Sequence, residues 1–221
     1  MFDFLKYKKT NFVGGGLMMP RTLMADRKVA VKTPQFVAPK KLDFRDMCIQ
    51  TSDQGQTSKC AAYSTAGNIE VLNWKKMHYP QQVDPDPIYA EAKRLDGNTS
   101  DGTSLDHAAQ AALNLKLIEG QINFVDTDIN SMKFAIHTNT SFVGGFMITD
   151  EWNRVNSETG QISDFGDNAR KLGGHAILCC GYSDIGLYIQ NSWGSSWGIY
   201  GFALIPWAQV TKQYMYGVFV A

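Results

Sequence analysis

The sequence predicts an α+β fold of two lobes. Helix-type apolar periodicity and capping signals fill the first half, from Cys60 to Leu113. Short β-branched and aromatic runs, bounded by Gly, Asn and Asp, fill the second half. The two patterns are segregated rather than alternating, which points to α+β and not to a doubly wound α/β sheet. A chain of 221 residues can bury one large core or two small ones. A cleft between two lobes is a usual place for a site.

Residues 1–41 read as an extension. Gly14-Gly15-Gly16 makes a flexible joint, and Pro20, Pro34 and Pro39 interrupt any helix. Only Met1 to Tyr7 hints at an amphipathic turn. The segment holds nine Lys/Arg against two Asp/Glu, so it carries +7 and the remainder −7. It is either a solvated basic tail or an arm that docks on an acidic body. It is expected to cross the surface in extended form.

The body follows in residues 42–221, with a helical lobe over about 42–120 and a β lobe over about 121–221. Lys41 to Arg45 alternates and reads as a short strand. The polar loop Asp53-Gln54-Gly55-Gln56-Thr57-Ser58-Lys59 then runs into a Pro-free apolar segment from Cys60 to about Met77, a helix. Pro87 could open a short helix through Tyr89, Ala90 and Leu95. Ser104 caps another through Leu105, Ala108, Ala109, Ala112 and Leu113. In the second half, Ile122–Val125, Ser141–Ile148, His175–Gly181, Leu187–Gln190, Gly201–Ile205 and Val218–Val220 read as strands. Asn153 to Gly173 reads as a long loop or exposed hairpin.

Three residues carry possible chemistry. Cys60 stands at or next to a helix N-terminus, where free N–H groups and the helix dipole favour an anion. A thiol there loses its proton more easily. A small buried Cys packing a helix start is the competing reading. His175 lies in Gly173-Gly174-His175-Ala176-Ile177-Leu178, a glycine-flanked apolar strand. His78, His107 and His137 have no such setting. Asn191 sits where a strand ends in a turn, Asn191-Ser192-Trp193-Gly194-Ser195-Ser196-Trp197-Gly198. Taken singly, Cys60 reads equally as a core residue, while a lone His is more often a satisfied core or surface residue and a bare Asn at such a place is usually a turn residue. Cys179 and Cys180 should face opposite sides of a strand. No cysteine spacing reads as a zinc site or disulfide framework.

Together these stretches resemble the papain-like cysteine peptidases. The resemblance covers about residues 42–221 and rests on a Gln-Gly-x-x-x-x-Cys loop, a Gly-His-Ala strand and an Asn-Ser-Trp-Gly-x-x-x-Trp-Gly turn, in that order. Asp101-Gly102-Thr103-Ser104 and Phe202 to Pro206 look most like the bacterial or viral members. The resemblance implies a helical lobe, a β-barrel-like antiparallel lobe and an active site in the cleft between them. It implies that Cys60 is the nucleophile, His175 the general base, Asn191 the residue orienting the imidazole, and Gln54 an oxyanion-hole donor. Trp193 then shields the Asn–His hydrogen bond beside the substrate site. Gly102 and Thr103 pair with substrate backbone. Ala176 and Gly145 wall the pocket for the residue before the scissile one, whose floor falls near Tyr214 to Tyr216.

The chain departs from the family pattern at several points. Thr57 and Ser100 replace the two halves of a family disulfide together, a consistent loss that suits a reducing compartment. Ala61 replaces a Trp beside the nucleophile, and Ser58 replaces a Gly. Lys59 puts a positive charge next to the thiol, where it either helps ionise it or is merely solvated. The extension is shorter than the helical prosegments of well-known members. It is expected to lie across or beside the cleft and limit access.

The expected activity is hydrolysis of peptide bonds in a peptide or protein substrate through an acyl-enzyme, without metal or cofactor, since the nucleophile is the protein's own sulfur. A different cysteine amidohydrolase and a silent papain-like binding domain are the alternatives. Nucleic-acid binding is not expected, because the basic charge is confined to the extension. Membrane insertion is not expected, because no run of about 18 apolar residues occurs. The first nine residues do not form a secretory signal. A cytoplasmic location or a non-standard export route is expected.

Overall fold

A computed structural model describes residues 16–18, 36–49, 51–163, 166 and 169–221. The amphipathic hint at residues 1–7 and most of the Gly joint lie outside the described residues. Among the described residues, five helices and seven strands are formed, in the order β1 (Leu42–Asp43), α1 (Cys60–Met77), α2 (Pro85–Asp96), α3 (Leu105–Asn114), β2 (Ile122–Val125), α4 (Ile129–Asn139), β3 (Phe142–Thr149), β4 (Lys171–Tyr182), β5 (Gly186–Gln190), β6 (Phe202–Pro206), α5 (Trp207–Gln213) and β7 (Tyr214–Val220).

The helices start where their capping residues dictate. Asp84 accepts from the Asp86 N–H at 3.0 Å, so α2 opens at Pro85 rather than at Pro87. Ser104 caps α3 by accepting from the His107 N–H at 3.4 Å. Asp128 caps α4 by accepting from the Ser131 N–H at 3.0 Å. Helices α4 and α5 fall in the half expected to be all strand. Each is short, and tertiary packing of Met132, Ala135 and Ile136, and of Val210, outweighs weak local periodicity. Lys41 to Arg45 gives a two-residue strand followed by a 3-10 turn.

All sheet pairings are antiparallel, in the order β2-β7-β3-β4-β5-β6, with β1 on the far end of β4. The sheet is not closed into a barrel. The outer side of β6 is taken instead by residues 160–162: the Ile162 N–H donates to Leu204 O at 3.0 Å and the Leu204 N–H to Gly160 O at 2.8 Å. That capped edge keeps β6 away from β2 and absorbs part of the loop expected over Asn153 to Gly173.

The core has two main parts. One lies behind the sheet around Phe142, Phe146, Trp152, Trp193 and Trp197. The other joins the sheet to the helices through Ala61, Ala62, Ala66, Leu105, Ala108, Ala109, Val143 and Val218. The alanines on α1 and α3 let helix and sheet backbones approach closely. Asn68 on α1 donates to the Ser141 hydroxyl at 2.8 Å and pins the helix to the sheet. Cys179 and Cys180 do face opposite sides of β4, in separate apolar clusters.

Candidate active site

Cys60 is the first residue of α1, at the junction between the Gln54 loop and the helix. It is completely buried. The sulfur is approached by the backbone N–H groups of Ala176, Ala61 and Cys60 itself, and all three favour the thiolate. Burial outweighs them and pushes the thiol up to about 11. In this closed arrangement burial therefore opposes the easy loss of the proton that the helix start favours. Lys59 does not help: its ammonium pairs with Asp86 at 2.8 Å.

His175 is held on two sides. Its Nε2 lies 2.8 Å from Asn191 Oδ1. The Ser192 N–H also donates to that Oδ1, at 2.8 Å, which identifies the atom as the amide oxygen. An acceptor there requires Nε2 to carry the proton, so in the neutral ring Nδ1 is left as the acceptor. The Trp193 ring stacks on the imidazole with centroids 4.8 Å apart and planes 30° apart. Trp193 is only 2% exposed, so it covers the imidazole and does not present a free surface to a substrate. Burial brings the His175 ring down to about 4, against the opposing hydrogen bond to Asn191. Among the described residues the Cys60 thiol and the His175 ring form no hydrogen bond to each other.

Gln54 joins the two halves of the site. Its backbone N–H donates to Ser192 O at 2.9 Å, and its side-chain oxygen accepts from the Ser192 hydroxyl at 2.6 Å. Its Nε2 donates one hydrogen to Thr57 O at 2.7 Å, leaving a second N–H on the same nitrogen. Gln54 thus stands between the Cys60 loop and the Asn191 turn. Ser192 is a residue that sequence reasoning missed, although its place between Asn191 and Trp193 could have singled it out. Behind Asn191 a small cavity is lined by Gly67, Glu70, Gln190 and Ser192.

The remaining positions meet around the chain's own Gly16–Met18, part of the extension expected to lie across or beside the cleft. The Thr103 N–H donates to Gly16 O and the Met18 N–H to Thr103 O, both at 3.1 Å, a parallel bridge. Gly102, at φ 83°, has no room for a side chain: a Cβ there would fall 2.0 Å from Gly16 O. Leu17 is 6% exposed and belongs to the same apolar cluster as Cys60, Leu105, Ala176 and Tyr216.

The register explains that pocket. Gly145 on β3 lies opposite Ala176 on β4 and Tyr216 on β7. These three residues form one cross-strand row facing the helices. A Cβ on Gly145 would fall 2.7 Å from Leu17 Cδ2. The Tyr216 hydroxyl accepts from the Leu105 N–H at 3.0 Å and donates to Met18 O at 3.4 Å. Of the stretch Tyr214 to Tyr216, it is therefore Tyr216 that lies in this row and touches the Gly16–Met18 segment. The four cysteines are free thiols. His107 bonds its own cap, Ser104, at 3.0 Å, and His137 packs on Phe36, so neither joins the site.

No family model matches this sequence. A curated relative, an uncharacterized peptidase C1-like protein of Acanthamoeba polyphaga mimivirus, is 27% identical over 92 residues, covering 40% of this chain and 30% of the relative. Among solved structures, xylellain, a cysteine protease from Xylella fastidiosa, superposes with a TM-score of 0.79 at 20% identity, over 95% of this chain and 97% of its own. Procathepsin B S9 from Trypanosoma congolense gives 0.71 at 14% identity, over 94% and 86%. Bromelain from Ananas comosus, solved with the E64 inhibitor, gives 0.66 at 15% identity, over 83% and 99%. The chain thus has the two-lobed α+β fold of the papain-like cysteine proteases.

Proposed function

We propose that this chain is a cysteine endopeptidase whose cleft is closed by its own N-terminal extension. The observation that carries the reading is the backbone pairing of Gly16–Met18 with Thr103, next to a pocket shared by Leu17 and Cys60. A cleft that binds an extended backbone by its N–H and C=O groups, and one side chain in an apolar pocket, is built for a polypeptide.

The chemistry follows from the groups present. Once the cleft opens to water or substrate, Cys60 is no longer fully desolvated, and its proton passes to His175 Nδ1. The thiolate attacks the scissile carbonyl carbon. The developing oxyanion is met by the free N–H of Gln54 and the Cys60 backbone N–H, and one such donor contributes roughly 3–4 kcal/mol. His175 then returns its proton to the leaving amine, and water hydrolyses the acyl-enzyme. Asn191 holds the ring in the tautomer this sequence of transfers needs.

In the closed form Gly16–Met18 occupy the cleft beside Thr103 and Gly174, where burial keeps both Cys60 and His175 uncharged at neutral pH, with the thiol at about 11 and the ring at about 4. The test is labelling with an epoxysuccinyl-type thiol inhibitor, read by intact mass. A Leu17→Glu variant of the full chain puts a charge into an apolar pocket and should release the segment. We expect slow labelling of the wild type, labelling faster by about 100-fold in Leu17→Glu, and none in Cys60→Ala. Absence of labelling in both wild type and Leu17→Glu, with both folded, would favour a silent binding domain.

A further inference from the structure

Three of the four thiols have no part in the site, and the fold brings two of them together. Cys60 is the candidate nucleophile, and Cys179 faces the core behind the sheet. Cys48 and Cys180 lie far apart in sequence but meet around one residue, Phe44. The Phe44 N–H donates to Cys180 O at 2.9 Å, and Phe44 O accepts from the Cys48 thiol at 3.7 Å. Cys48 packs against the small apolar cluster formed by Val71, Leu178 and Cys180. The side chains of the two cysteines also act on each other: the Cys180 thiol, ahead of burial, is the first cause that holds the Cys48 thiol well above its usual range.

We propose that Cys48 and Cys180 are an oxidisable pair that closes into an intramolecular disulfide. The bond would tie the segment ahead of the Gln54 loop to strand β4. Cys48 is partly exposed and Cys180 is buried, so the order of events is set by access. The Cys48 thiolate attacks a small external disulfide such as oxidised glutathione. One glutathione leaves as the thiol and the other stays bound to Cys48. The Cys180 thiolate then attacks the Cys48 sulfur and expels the second glutathione. Two electrons pass from the protein pair to the external disulfide, and the two thiol protons end on the two glutathione molecules. Because thiolate is scarce on Cys48, the reaction should be slow near neutral pH and faster at about pH 9.

The bond would have structural reach. The tied segment continues directly into Ile49 and Thr51. Ile49 O accepts from Gln190 Nε2 at 2.9 Å, and the Thr51 hydroxyl donates to Tyr200 O at 2.8 Å. From there the chain enters the loop that carries Gln54. A cross-link spanning so much of the chain restricts the unfolded ensemble and should raise the melting temperature.

The test uses full-length Cys60→Ala protein, so that the site thiol does not compete. The protein is incubated with oxidised glutathione at about pH 9, then denatured and alkylated with N-ethylmaleimide. We expect a single alkylatable thiol, a cross-linked peptide joining Cys48 to Cys180, and a rise in melting temperature that dithiothreitol reverses. Cys48→Ser in the same background should abolish the cross-link. Three alkylatable thiols after prolonged oxidation would overturn the proposal. So would glutathione retained on Cys48 with Cys180 still free, because it would show that the sulfurs do not meet. The cross-linked peptide decides the matter even if a substituted chain fails to fold.

Discussion

The Leu17 N–H donates to the Gly174 carbonyl oxygen at 3.2 Å, one residue before His175. The same approach places Leu17 O 2.9 Å from where a Cβ on Gly174 would stand, so only glycine fits beside the segment. Closure of the cleft and the strand carrying the candidate base are thereby in direct contact.

If Leu17 is the plug, shortening it should open the cleft by a measurable amount. Truncating a buried leucine to alanine removes about 2–3 kcal/mol of local packing. Leu17→Ala should therefore raise the rate of inhibitor labelling by about 30–150-fold, an effect of the same order as that of Leu17→Glu. Equal rates for wild type and both variants, measured by the time course of adduct mass, would place the segment outside any gating role.

Gln54 should matter to turnover more than to binding. Its free amide hydrogen is aimed by two anchors, Ser192 on the oxygen and Thr57 O on the nitrogen. Gln54→Ala, made in a Leu17→Glu background, should lower kcat by about 100-fold to 1,000-fold with little change in KM. Ser192→Ala should give a smaller loss in the same direction, since it frees Gln54 without removing the donor. A rise in KM alone would assign Gln54 to substrate binding.

Gly145 should set the size of the pocket. A methyl group there would press on Leu17 Cδ2 and on Tyr216 O, 3.3 Å away. Gly145→Ala should speed labelling by loosening Leu17. In the same protein it should raise KM for peptides with leucine before the scissile residue, and raise it less for peptides with alanine there. Parallel KM measurements on the two peptides test this, and equal shifts would contradict it.

Two buried titrations should leave opposite marks on stability. His175 takes its proton near 6.5 when unfolded and only near about 4 when folded. Between those values the unfolded chain holds the extra proton, so this contribution is full above 6.5 and is lost as pH falls toward 4. Glu70 on α1 is raised by burial from 4.5 to about 7, against the hydrogen bond it accepts from the Val83 N–H at 2.9 Å. Here the folded chain holds the extra proton, so this contribution is full below 4.5 and lost as pH rises through 7. Urea midpoints across the pH range should show His175→Phe gaining relative to wild type in acid. They should show Glu70→Gln gaining above about pH 7. A pH-independent offset for Glu70→Gln would mean that its carboxyl titrates normally.

Local chemistry made much of this fold legible in the sequence. Helix α1 begins at Cys60 because a polar loop gives way there to a Pro-free apolar run, and it ends near Met77, ahead of Pro80. Ser104 announces α3, and the run Ile122–Val125 announces β2 with both boundaries correct. The order of the Gln54, Cys60, His175 and Asn191 motifs likewise lies in the chain itself. Helices α4 and α5 escaped because their signals are short and their stability comes from the sheet they pack on. The open sheet escaped because residues 160–162, in a stretch with no strand signal, cap β6.

What the sequence by itself determined, then, is which residues are available and in what local setting: a thiol at a helix start, a histidine in a glycine-flanked strand, an asparagine in a tryptophan-rich turn. Tertiary structure alone decided what meets. Sheet register set Tyr216, Gly145 and Ala176 side by side. The fold brought Ser192 to Gln54 and Cys48 to Cys180. It also laid Leu17 in the pocket, where burial holds Cys60 and His175 uncharged. Such pairings are long-range, and their energies depend on desolvation and close approach, quantities that no local pattern along a chain encodes.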